Sequence, residues 1–174
     1  MIAVILAAWE WSRLRPLSNT IPKPMIKIFG KPILEHNIEN IYTKMEEIII
    51  VTKYKEEIIK EYFKDNYKNT PIKYITQNDE KWTAAAIRWI TLENKTDILV
   101  LNWDSIFDKS DLEKIISLNG FWSLVKKVDD PSKYWIFKQD ENGFATEIIE
   151  KPEEFVWDLA NLWVYKFDSS IIDI

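Results

Sequence analysis

The chain opens on "IAVILAA" (2 to 8), an apolar run without polar alternation, as expected of a strand covered on both faces. After a polar loop, Pro32 suits the first turn of a helix, and Ile33, Leu34, Asn37, Ile38 and Ile41 follow at helical spacing. "EIIIVT" (47 to 52) predicts a second buried strand, and "EEIIKEYFKDN" (56 to 66) an amphipathic helix with Ile58, Ile59, Tyr62 and Phe63 on its apolar face. "IKYIT" (72 to 76) predicts a third strand, "TAAAIRWITLEN" (83 to 94) a third helix and "DILVLN" (97 to 102) a fourth strand. Ser110 and Glu113 have the spacing of a capping box for a helix over 111 to 118.

This alternation implies a parallel sheet with right-handed crossovers. From residue 121 the rhythm changes to the strand-like pieces "FWSLVKKV", "KYWIF", "GFATEIIEK" and "LANLWVYKF", with Asn142 and Gly143 supplying a hairpin corner within "QDENGF". The predicted fold class is α/β, a Rossmann-like three-layer sandwich with a mostly parallel sheet, plus additional mixed or antiparallel strands after residue 120. One domain over 1 to 174 accounts for the pattern.

Composition narrows the function. The formal net charge of -5, from 23 basic and 28 acidic side chains well mixed, argues against a nucleic-acid backbone binder. The absence of cysteine excludes disulfides, thiolate nucleophiles and cysteine metal sites, and the single histidine, His36, gives no imidazole cluster. The apolar opening has no basic start and is shorter than a membrane span, so it reads as a buried strand, and a cytoplasmic protein with no membrane partner is expected. Glycine occurs only 3 times and tryptophan 9 times, whereas typical chains carry about 7% glycine.

In a parallel sheet, ligands bind beyond the carboxyl ends of the strands. The polar segments 9 to 16, 52 to 55, 76 to 83 and 102 to 105 all fall there. Arg13 and Arg15 offer donor forks suited to phosphate, or surface ion pairs. Lys23, between Pro22 and Pro24, is either a braced positive charge for a phosphate or an ordinary solvated side chain. Asp104, just past the fourth strand, is either a magnesium ligand or a turn residue. Gln77, Asn78 and Thr83 could read a base edge or simply build the turn into the third helix. Glu150 and Lys151 suit a sugar hydroxyl and a phosphate, or solvent; Asn161, inside an apolar strand, needs a hydrogen-bond partner if buried. His36 stays unassigned.

The stretches "LAAWEWSRLRPLSNTIPKPMIKIFGKPILEH", "ITQNDEKWTAAAI", "LVLNWDSIF", "ATEIIEKP" and "LANLWVYKF" together resemble the sugar-phosphate nucleotidyltransferases, the pyrophosphorylases that make nucleoside-diphosphate sugars. The resemblance covers essentially the whole chain. It implies a loop over 8 to 13, with Ala8, Trp9 and Arg13, around the nucleotide phosphates, and Lys23 assisting at the reacting phosphate. It further implies base recognition by Gln77 and Thr83, Mg²⁺ on Asp104, and Glu150, Lys151 and Asn161 around the sugar phosphate. The implied substrates are a nucleoside triphosphate, dTTP or UTP favoured, and a sugar-1-phosphate, with pyrophosphate released; a homo-oligomer is left open.

The chain departs from that family where the family has glycine and this sequence has Trp9, Trp11, Trp82, Trp103 and Trp163, and also at Trp135 and Trp157. Glycine there permits positive φ and close approach of phosphate, which an indole does not. Systematic replacement of glycine, by engineering or by a reading artefact, is expected, with very low activity in the literal sequence. The ending at "SSIIDI" suggests a catalytic domain lacking its C-terminal part and a second metal-binding residue. The competing readings are a noncatalytic nucleotide or sugar-phosphate binding module and an association protein built on exposed tryptophans.

Overall fold

The structure, a computed structural model, describes residues 1–8, 21–77 and 96–168. Four parallel strands form its centre: β1 (Ile2–Leu6), β4 (Glu47–Thr52), β6 (Thr70–Thr76) and β7 (Ile98–Asn102), in the order β7-β1-β4-β6. The branched apolar side chains of β1, β4 and β7 suit a pleated sheet buried on both faces, while β6 alternates buried and exposed positions over its first half. Val4 stands opposite both Ile49 and Val100, and these register positions are buried.

Alternation along the strands divides the core in two. One face gathers Ala3, Ile5, Ile48, Ile50, Leu99 and Leu101 against helices α1 (Ile33–Ile41), α2 (Glu56–Phe63) and α3 (Lys109–Ser117), through Leu34, Ile38, Ile59, Phe63, Leu112 and Ile115. The other face gathers Ile2, Val4, Leu6, Ala8, Ile49, Val51, Ile98 and Val100. The helix predicted over 83 to 94 lies outside the described residues.

Local chemistry moves several boundaries. Pro32 caps α1 from outside, with Ile33 as the first helical residue. Helix α2 stops at Phe63 rather than 66 because Lys64 takes a φ of 56°. The chain then folds into a hairpin between β5 (Asn66–Tyr67) and β6, whose turn residues Lys68 and Asn69 both have positive φ. A second small ribbon pairs β2 (Lys27–Ile28) with β3 (Lys31–Pro32) through Phe29 and Gly30, again both at positive φ. The capping box at Ser110 is corrected: α3 starts at Lys109, and the Asp108 carboxylate caps it by accepting from the Ser110 backbone N–H at 2.8 Å.

After α3, β8 (Trp122–Lys127), β9 (Trp135–Gln139), β10 (Ala145–Glu150) and β11 (Leu159–Phe167) are all antiparallel to their partners. The predicted hairpin corner is present: Asp140 accepts from the N–H groups of Asn142 and Phe144, both at 2.9 Å, and Gly143 has a φ of 83°. Strand β11 pairs with β7 through its second half, beside β8 on another ladder, and meets β9 only at Leu159 and Ala160. Because Val164 lies opposite Leu101 in antiparallel sense, the start of β11 runs past the carboxyl end of β7, and β9 and β10 stand there as a wall. The α/β fold with a central sheet, flanked by helices and extended by mixed strands, is as expected.

Candidate functional site

Parallel register brings the ends of four strands to one edge: Leu6 lies opposite Val51 and Asn102, and Thr52 opposite Thr76. Ala8, Gln77 and Asp104 each follow one of these ends within two residues. Ala8 is buried against the second core face, and the Gln77 N–H donates to the Thr52 carbonyl at 2.8 Å, which extends the β4–β6 ladder by one step. Trp9, Arg13, Arg15, Asn78 and Thr83 lie outside the described residues.

Lys23 occupies a single 3-10 turn, Lys23–Met25, in which Pro24 fixes φ near the helical value, and Pro22 precedes it in extended conformation. The residue is only 8% exposed and its charge acts on Asp104. Asp104 is open to solvent as a residue, yet protein surrounds its carboxyl closely enough that desolvation holds its pKa above the ordinary 3.8; its own backbone N–H and Lys23 pull the other way. Lys23 and Asp104 thus lie close enough for their charges to interact.

The loop carrying Asp104 is held from below. Asn37, fully buried on α1, donates through Nδ2 to the Ser105 carbonyl at 2.8 Å and accepts from the Phe107 N–H at 3.4 Å. Asn40, one turn further, donates to the Phe107 carbonyl at 2.9 Å. His36 uses Nε2 to meet the Ile28 carbonyl at 2.8 Å, which ties the β2–β3 ribbon to the same helix. On the neighbouring strands the Glu56 carboxylate accepts from Thr76 Oγ1 at 2.6 Å, Thr52 Oγ1 at 2.9 Å and Lys60 Nζ at 2.9 Å, and these bonds lower its pKa to about 2. Sequence reasoning missed Asn37, Asn40 and Glu56 as site-building residues. The available signal was Asn37 itself, a polar residue within an apolar helical stripe.

The wall brings the remaining candidates together. Glu150 pairs with Trp135, and the next residue on β9, Ile136, pairs with Ala160, so Glu150 and Asn161 lie two strands apart in one row. Lys151 has a φ of 43° and its N–H donates to the Tyr134 carbonyl at 2.9 Å; its ammonium is 3.9 Å from Glu150 Oε1. Asn161 is buried and finds its partners within its own strand: its Oδ1 accepts from the Trp163 N–H at 2.8 Å and its Nδ2 donates to the Tyr165 hydroxyl at 2.5 Å. These bonds close a bulge, since the β11–β8 register shifts between Asn161 and Tyr165.

Trp163 sits in that bulge at a φ of 58°, with its ring edge-on to Trp135 at 5.6 Å. It is the clear case, among the described residues, of tryptophan in a backbone conformation suited to glycine. Trp103, Trp122, Trp135 and Trp157 do not have positive φ, and Trp103 fills the core beneath the Asp104 loop. Trp9, Trp11, Trp82 and Trp89 lie outside the described residues.

Among the described residues, no three histidine, aspartate or glutamate side chains gather into a metal cage. A single hard carboxylate at the strand-end edge nevertheless fits magnesium, which keeps several waters and takes its other ligands from substrate phosphate. No helix among the described residues is long and apolar enough to cross a membrane.

Comparison with known proteins agrees with this geometry. The family description "Nucleotidyl transferase" matches residues 2–174. Over the whole chain, 39% of positions are identical to the bifunctional protein GlmU of Methanococcus aeolicus, but the chain spans only 42% of that protein's length. The UTP--glucose-1-phosphate uridylyltransferase AglF of Haloferax volcanii is 34% identical over 98% of the chain and 73% of its own length. Among solved structures, HddC from Yersinia pseudotuberculosis superposes with a TM-score of 0.76 at 28% identity, covering 99% of this chain and 78% of that one. A UDP-glucose pyrophosphorylase complexed with UDP-glucose has the same fold, with a TM-score of 0.81 at 22% identity, over 99% and 77% of the two chains. The chain belongs to the nucleotidyl transferase family, in its sugar-phosphate nucleotidyltransferase branch.

Proposed function

We propose that this chain carries the site of a sugar-1-phosphate nucleotidyltransferase, which joins a nucleoside triphosphate to a sugar-1-phosphate and releases pyrophosphate. The observation that carries the reading is the buried Lys23 acting on Asp104 at the edge where four parallel strands end. A sugar-phosphate oxygen attacks the α-phosphorus; the bond from that phosphorus to the bridging oxygen breaks, and its electron pair leaves with pyrophosphate. Both partners are anions, so most of the catalysis is positioning and charge neutralisation, without a protein nucleophile.

Arg13 and the loop from Ala8 and Trp9 hold the triphosphate in this reading, and Lys23 presents a fixed positive charge to the reacting phosphate. Asp104 holds Mg²⁺, which when bound screens the phosphate oxygens. Gln77 and Thr83 read the base, and Glu150 and Lys151 serve the sugar phosphate from the wall, where Asn161, its amide engaged within β11, shapes the strand beside them. The AglF name supports UTP as the nucleotide. Tryptophan at 163, strained and beside Asn161, supports slow turnover by the literal sequence.

The test is product analysis after incubation with UTP or dTTP, glucose-1-phosphate and Mg²⁺, in the parent chain and in a chain with glycine at positions 9, 11, 82 and 163. The glycine-bearing chain should form nucleotide sugar and pyrophosphate in equal amounts, with Lys23→Ala and Asp104→Ala each reducing the rate about 100-fold or more. No nucleotide sugar from a folded glycine-bearing chain would refute the assignment. Ordinary enzymatic rates from the parent would refute the slow turnover.

A further inference from the structure

We propose that helix α1 is the positioning element of the site, with Asn37 and Asn40 as residues that fix Asp104 relative to Lys23. The inference rests on the proposed function, because it explains how that reaction's cation and carboxylate are kept in register. The two lie on segments about eighty residues apart in sequence, and one helix touches both.

At its start, α1 holds the Lys23 segment. The N–H of Ile33, its first residue, donates to the Ile26 carbonyl at 3.0 Å, and the Ile26 N–H donates to the Lys23 carbonyl at 2.9 Å. Met25 packs in the same core cluster as Leu34 and Ile38. Along its length, α1 holds the Asp104 loop: Asn37 grips the Ser105 carbonyl and the Phe107 N–H, and Asn40 grips the Phe107 carbonyl. Phe107 and Trp103 pack in that cluster too, so the loop is fastened on both sides of Asp104.

Asn37 is fully buried where its helical neighbours are leucine and isoleucine. A buried amide is retained against its desolvation only when donor and acceptor are both used, and here they are used on backbone groups 68 and 70 residues away. Leucine would fill the space and satisfy the apolar stripe, but it would leave the loop's carbonyl and N–H unpaired. The polar choice therefore specifies where the loop sits.

The experiment compares the parent with Asn37→Leu, the milder Asn40→Ala, and Ile38→Val, a packing change on the same helix that leaves both amides intact. Hydrogen exchange reads the brace without any ligand. The Asn37 and Asn40 variants should lose protection at residues 103 to 107 while β1 and β7 keep theirs, and Ile38→Val should not single out that loop. Mn²⁺ titration in the presence of UTP, followed by electron paramagnetic resonance, reads the consequence. The two asparagine variants should weaken Mn²⁺ binding roughly 10-fold to 100-fold, the range for residues that orient a metal ligand, and Ile38→Val should leave it unchanged. If Asn37→Leu does not fold, Asn40→Ala carries the comparison. Equal exchange in the loop of all variants would overturn the brace. A loosened loop with unchanged Mn²⁺ binding would overturn its role in positioning. Absence of Mn²⁺ binding with nucleotide in both the parent and the chain with glycine at positions 9, 11, 82 and 163 would defeat the proposed function instead, and the exchange data would still decide whether α1 holds the loop.

Discussion

Replacing Glu56 by glutamine tests how the ends of β4 and β6 are locked together. The Glu56 carboxylate takes three hydrogen bonds, from Thr76, Lys60 and Thr52, and its pKa falls from an ordinary 4.5 to about 2. A carboxyl whose pKa is lower folded than unfolded stabilises the protein above the unfolded pKa and loses that stability as pH falls through the folded one. The window here runs from about pH 4.5 down to about 2. At neutral pH the shift corresponds to at most roughly 3 kcal/mol. The side chain is 27% exposed, and solvent screening reduces the expectation to roughly 1–2 kcal/mol. Urea unfolding of the parent and Glu56→Gln at pH 7, 4 and 2.5 measures it. The gap between them should be largest at pH 7 and shrink toward zero at the lowest pH. A gap of constant size across this range would show that shape, and not charge, accounts for the cost.

Trp163→Gly should leave the protein more stable than Trp163→Ala by about 1 kcal/mol, because alanine keeps the left-handed strain and loses the same ring contacts; chemical denaturation of both decides it, and equal stability would contradict the strain. Peptide mass across Leu159–Phe167 reads directly whether position 163 holds tryptophan or glycine. Lys166, only 2% exposed, sets its ammonium 3.2 Å from Asp97 and donates to the Leu118 carbonyl. Asp97→Ala should therefore cost roughly 2 kcal/mol, and adding Lys166→Met should restore part of it; strictly additive losses in urea would contradict a coupled pair.

The parallel centre was legible because β1, β4 and β7 are nearly continuous apolar runs, β6 alternates at a strand's period, and crossover helices impose one direction on them all. That same rule put Gln77 and Asp104 at one edge without any knowledge of side-chain contacts. The place of β11 was not legible. Nothing in "LANLWVYKF" says that its second half pairs with β7 while its first half reaches β9, since pairing across tens of residues leaves no local pattern. The short hairpins were missed because their turns use Lys68, Asn69 and Phe29 at positive φ, with glycine only at position 30. Asn37 was visible as a polar interruption of an apolar stripe, but its partners lie near residue 106, beyond any helical repeat. Glu56 read as a first-turn helix residue, which it is, while its service to two strand ends depends on the tertiary fold.

The most direct measurement is a crystal structure of the chain, with glycine at positions 9, 11, 82 and 163, bound to a nonhydrolysable nucleoside triphosphate and Mn²⁺, with the metal located by anomalous scattering. The account predicts an anomalous peak in coordination contact with the Asp104 carboxylate and the α-phosphate beside Lys23, beyond the ends of β1 and β7. Nucleotide and metal seated elsewhere, with Lys23 and Asp104 touching neither, would contradict it.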